Sequence, residues 1–106
     1  MKKLVLLVMA LVCGLWFAGS AMAHSALCSC YENGDGTVTC EGGFSDGSSA
    51  SGVKMRVEDK SGKVVATGKM DEDSEYSFDK PAGDYLVIFD AGPGHQVKVD
   101  GSEITE

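Results

Sequence analysis

The sequence predicts an all-β protein, a sandwich of seven strands that follows a cleaved signal peptide. Two observations carry the fold. No stretch after Ala23 shows a helical period, and short runs of alternating apolar and polar residues recur instead. Those runs are punctuated by clusters of Gly, Asp, Asn and Ser, the signature of a sandwich or barrel.

The first element is the leader. Met1-Lys2-Lys3 is a basic start, residues 4–17 are almost wholly apolar, and Ala21-Met22-Ala23 is an A-x-A cleavage site. The apolar run is shorter than the roughly 20 residues a membrane-crossing helix needs. Cleavage after Ala23 makes 1–23 a signal peptide and 24–106 one domain. Cys13 leaves with the leader, since Val12 before it is too large for a lipobox.

The strands follow in order. Residues 26–32 form the first, and Asn33-Gly34-Asp35-Gly36 turns the chain because Gly and Asn accept positive φ. Residues 37–44 return, and residues 45–51 are a polar loop. Val53, Met55 and Val57 alternate with Lys54, Arg56 and Glu58, one face buried and one solvated. Lys60-Ser61-Gly62-Lys63 turns into a strand over 64–70, and after the acidic 71–74 turn Tyr76 and Phe78 point inward. Residues 85–89 are continuously apolar, which predicts a central strand. Ala91-Gly92-Pro93-Gly94 breaks it, and Val97 and Val99 mark the last strand. The short connections suit a meander or a Greek key.

Of nine basic residues, Lys2 and Lys3 go with the leader; all sixteen acidic residues stay, for a net charge of −9. That charge excludes nucleic acid and anionic lipid surfaces as partners and suits cations. With 23 of 106 residues removed, the remaining 83 build a core that a disulfide or a metal would strengthen.

The two histidines are the chemistry-bearing pair. His24 becomes the first residue after cleavage, and His95 follows Gly92-Pro93-Gly94. An N-terminal histidine chelates a metal through its α-amine and ring Nδ1; a second imidazole supplies a third nitrogen. Such a histidine brace is a tetragonal site suited to Cu(II) and Ni(II). The α-amine, with a pKa of about 7.7–8, yields its proton to a metal at neutral pH. Either histidine alone reads as an incidental surface residue; the pairing makes them candidate ligands.

Cys28, Cys30 and Cys40 are an odd number in an exported chain. Cys30 falls opposite Cys40 if the hairpin loop is odd, and Cys28 does so after a small register shift. One hairpin-stapling disulfide leaves a spare thiol. The alternatives are a soft thiolate site for Cu(I) or an intermolecular disulfide. Asn33-Gly-Asp-Gly-Thr and Asp71-Glu-Asp lack the ligand set of a calcium loop. Met55 and Met70 read as core rather than ligands. No Ser–His–Asp pattern or phosphate loop is present, so the chain reads as a non-enzyme.

Gly52-Val-Lys-Met-Arg-Val, Gly62-Lys-Val-Val-Ala-Thr-Gly, Ser74-Glu-Tyr-Ser-Phe and Pro81-Ala-Gly-Asp-Tyr-Leu-Val resemble segments of the transthyretin-like (carboxypeptidase regulatory-like) sandwich. The resemblance covers residues 52–90 and implies a seven-stranded Ig-like/transthyretin-like architecture, not a function. A narrower likeness rests on His24 directly after the leader, Tyr31-Glu32-Asn33-Gly34, Phe44-Ser45-Asp46-Gly47 and Ala91-Gly92-Pro93-Gly94-His95. Together these resemble the small extracytoplasmic accessory proteins of nickel/cobalt uptake systems.

That resemblance implies a periplasmic protein that captures Ni(II) or Co(II) through His24 and His95 and hands it to an inner-membrane importer, with no membrane span of its own after cleavage. The sequence departs from that family in its three cysteines, and residues 96–106 hold no apolar helix of the kind some of those proteins carry. The same two-histidine pattern is similar to exported copper carriers, which would add Cys28, Cys30 and Cys40 for Cu(II)/Cu(I). A structural or interaction module without metal is a further reading, and a metal-dependent oxidase or oxygenase is a third.

Overall fold

A computed structural model of the chain describes residues 25–106. Within them lie seven strands: β1 (Ala26–Glu32), β2 (Thr37–Phe44), β3 (Lys54–Asp59), β4 (Val64–Lys69), β5 (Glu75–Asp79), β6 (Tyr85–Asp90) and β7 (Gln96–Asp100). The protein is all-β, built from two antiparallel sheets. One has three strands in the order β1-β2-β5, the other four in the order β4-β3-β6-β7. The chain therefore crosses between sheets after β2, after β4 and after β5. A single short 3-10 turn (Gly101–Glu103), unmarked by any periodicity, follows β7 and is capped by Asp100, whose side chain accepts from the Ser102 N–H.

The core lies between the sheets. Val38, Cys40 and Phe78 from the first meet Met55, Val57, Tyr85, Val87 and Phe89 from the second. Phe44 touches Phe89 edge-on at 6.0 Å, and Phe78 meets Tyr85 edge-on at 6.1 Å, so aromatic contacts join the layers at two points. The apolar run of β6 sits between β3 and β7, and its Val87, Ile88 and Phe89 are all buried, the environment a continuous apolar strand requires. Met55 and Met70 are core residues, each 2% exposed.

β4 is an edge strand with a bulge. Val57 opposes Ala66 while Glu58 opposes Val64, so Val65 is the extra residue. Val64 and Val65 both remain about half exposed, since neither sits under a second layer.

Most turns share one device. In Asp35-Gly-Thr37, Asp46-Gly-Ser48, Asp59-Lys-Ser61 and Asp100-Gly-Ser102, the Asp Oδ1 accepts from both the N–H and the hydroxyl two residues on. The carboxylate replaces a backbone acceptor and closes the loop locally. These hydrogen bonds hold the Asp35, Asp59 and Asp100 carboxyls below their ordinary range.

Candidate metal centre

Two places concentrate ligand chemistry. The first is the end of the sheets where β1 begins. Ser25 donates its N–H to Ser45 Oγ at 2.8 Å and accepts from the Ser45 N–H at 2.9 Å. Ala26 then pairs with Phe44. Phe44 in turn lines an open cleft of about 710 Å³ together with Ala91, Gly92, Pro93 and Gln96. The start of β1 and the turn that carries His95 thus share one end of the molecule. The leader and His24, on which the signal-peptide and brace expectations rest, lie outside the described residues.

The turn itself is tightly specified. Gly92 and Gly94 have φ of 109° and 78°, conformations that side chains resist. The Ala91 N–H donates to the His95 carbonyl at 3.1 Å, and the His95 N–H donates to the Gly92 carbonyl at 2.9 Å. Asp90 Oδ1 accepts the Gly92 N–H at 3.0 Å. The Gly92 N–H, the Gln96 side chain and the Arg56 guanidinium together hold the Asp90 carboxyl below its usual range.

His95 is partly buried, with Nδ1 3.3 Å from the Pro93 carbonyl. A carbonyl only accepts, so the neutral tautomer that makes this contact a hydrogen bond carries its proton on Nδ1. No described cluster of His, Cys, Asp and Glu close enough to share an ion includes His95.

The second place is sulfur. Cys30 pairs with Cys40 across the β1–β2 ladder, and their sulfurs form a disulfide between Cα atoms 4.0 Å apart. The turn decides this. Glu32 pairs with Val38, and the Asn33 N–H donates to the Thr37 carbonyl, which leaves three residues at the tip and puts positions 30 and 40 in register. Cys28 faces Gly42 instead and is a free, half-buried thiol. All three side chains turn toward the core, and their sulfurs lie within 4.8 Å of one another. Desolvation pushes the Cys28 thiol up to about 11, so it is protonated and unreactive at neutral pH.

Sequence reasoning did not find the cleft beneath Phe44 or the role of Gly42 behind Cys28. Gly42 carries no signal of its own, because its significance is the approach of a distant ring.

Compared with known protein families, with characterised proteins and with solved structures, the chain has no match.

Proposed function

We propose that this is an exported, periplasmic, non-catalytic transition-metal-binding protein that captures nickel or cobalt through a brace of the His24 amine, the His24 ring and His95. One observation supports the reading above others. Ser25, the residue after His24, is tied to Ser45 at the end of the sheets where Phe44 and the Ala91–Gly92–Pro93 turn line one cleft. The brace requires His24, one residue ahead of Ser25, to reach the turn that carries His95. The His95 ring adds to this: with Nδ1 hydrogen-bonded to the Pro93 carbonyl, Nε2 is the nitrogen that would bind the ion.

Further support comes from chemistry and topology. The Cys30–Cys40 disulfide suits an oxidising compartment, in keeping with export. The order β1-β2-β5 against β4-β3-β6-β7, with hairpins exchanged between sheets, suits an Ig-like sandwich whose end loops carry the site. Among the described residues no helix is long and apolar enough to cross a membrane. The recipient of the ion, in this reading, is an inner-membrane importer.

The test is a calorimetric titration of the signal-cleaved protein with Ni(II), Co(II) and Cu(II), beside a variant with one residue added before His24. The brace requires one equivalent bound by the cleaved form and loss of that binding in the extended form. Copper is included because it outcompetes nickel at nitrogen donors. Equal or negligible binding by both forms would leave a structural module without metal.

A further inference from the structure

The sulfur cluster uses neither His24 nor His95, and it carries an inference independent of the brace. We propose that Cys28, Cys30 and Cys40 form a redox-gated, three-sulfur site for Cu(I), closed while the Cys30–Cys40 disulfide stands and opened by its reduction.

The geometry is close to what such an ion needs. Three sulfurs around one ion at bonds of about 2.3 Å are separated by roughly 4 Å. The three sulfurs here lie within 4.8 Å of one another on two paired strands, so modest side-chain rotation gathers them. The ladder provides the scaffold. Cys28 and Cys30 project from the same face of β1, and Cys40 projects beside them from β2.

The donor set selects the metal. It contains sulfur alone, with no imidazole or carboxylate in the group. Thiolates favour soft ions, whereas nickel and cobalt prefer nitrogen-rich sites. Structural zinc takes four tetrahedral ligands, and this group supplies three. A monovalent ion content with three sulfurs is the better match. The surroundings are apolar, since Phe89 and Met70 close over Gly42 next to Cys28.

The gate is the disulfide itself, because a sulfur bonded to sulfur is not a thiolate ligand. An external dithiol opens it in two steps. Its thiolate attacks Cys30 Sγ, the half-buried member, while Cys40, 0% exposed, departs as thiolate and takes up a proton. The second thiol of the reductant then displaces Cys30, and the reductant leaves as its own disulfide. Two electrons have entered the protein, and three thiols stand together. Cu(I) then binds by displacing protons from them, which overcomes the high pKa of Cys28.

The experiment is an anaerobic competition for Cu(I) against a coloured Cu(I) chelator. It compares the disulfide form, the dithiol-reduced form freed of reductant, and reduced Cys28→Ser. Far-UV circular dichroism is recorded for each. The expected result is one equivalent bound by the reduced, folded protein, none by the disulfide form, and at least tenfold weaker binding by Cys28→Ser. X-ray absorption of the copper form should show three sulfur neighbours. The N-terminally extended variant should bind Cu(I) as the cleaved protein does, so this site and the brace succeed or fail separately. Binding unchanged by Cys28→Ser, two sulfur neighbours, preference for Zn(II), or loss of the β-sheet spectrum on reduction would each overturn the proposal.

Discussion

Cys28 stands opposite Gly42 across the β1–β2 ladder, and the ring of Phe89 occupies the place a side chain at 42 would take. A Cβ there would lie 2.6 Å from Phe89 Cε2 and 3.0 Å from Met70 Cε. Phe89 is fully buried and has no room to retreat. Gly42→Ala should therefore destabilise the protein by about 1–3 kcal/mol, the usual result of overpacking. Gly43→Ala is the control, since nothing lies within 4 Å of its Cβ position. Urea unfolding of the two variants should separate them; equal midpoints would contradict the close approach.

The disulfide closes a loop with a sequence separation of 10. Constraint of so short a loop in the unfolded chain is worth roughly 2–3 kcal/mol. The double variant Cys30→Ala, Cys40→Ala should lose about that much while keeping its β-sheet spectrum. Denaturant midpoints with and without the bridge check this, and no change would mean the hairpin is held by its packing alone.

Tyr85 presents the opposite case. Its hydroxyl is buried and has no hydrogen-bond partner among the described residues. The ring packs against Gly101, where a Cβ would come within 2.6 Å of Cε1. Removing an unsatisfied buried hydroxyl while keeping the ring relieves a desolvation cost of about 1–3 kcal/mol. Tyr85→Phe should leave thermal stability unchanged or raised. A clear drop would show that the hydroxyl has a partner, such as an ordered water.

Two pH limits follow from the carboxyl and thiol environments. Asp35, Asp59, Asp90 and Asp100 all titrate below their ordinary range, chiefly through N–H and O–H donors in their turns. Their contribution to stability is complete above the unfolded carboxyl pKa of about 3.9 and is lost as the pH falls through the lower folded values. Melting temperature should hold from neutrality to about pH 4 and then fall.

At the other end, burial disfavours the Cys28 thiolate and pushes its pKa up to about 11, from an ordinary 9.0. Its contribution is complete below pH 9.0 and is lost as the pH rises through about 11. Tyr31, Tyr76 and Tyr85 are also raised, so alkaline sensitivity is shared. Comparison with Cys28→Ala isolates the thiol: the variant should lose less stability across that window, and parallel curves would show that the thiol is solvated.

Much of this architecture can be read along the chain. The alternation of Val53, Met55 and Val57 and the Asn33-Gly34-Asp35-Gly36 turn are local signals, produced by side-chain period and by the backbone freedom of Gly and Asn. The buried run of β6 announces a central strand for the same reason. These features determine seven strands, where most of them end, and which residues face inward.

Other features depend on residues far apart in sequence. Two apolar valines at the start of β4 look like core positions, yet a bulge at Val65 and an uncovered edge leave them exposed. Hairpin register chose Cys30 over Cys28 as the partner of Cys40, because a three-residue tip shifts every later pair. The exchange of hairpins between sheets brought the beginning of β1 to the end that carries the His95 turn. Sequence supplied the ligand types and their spacing. Which cysteines meet is decided by the register of the β1–β2 hairpin, and which loops share an end of the molecule by packing two sheets face to face, since that step sets distances between positions tens of residues apart.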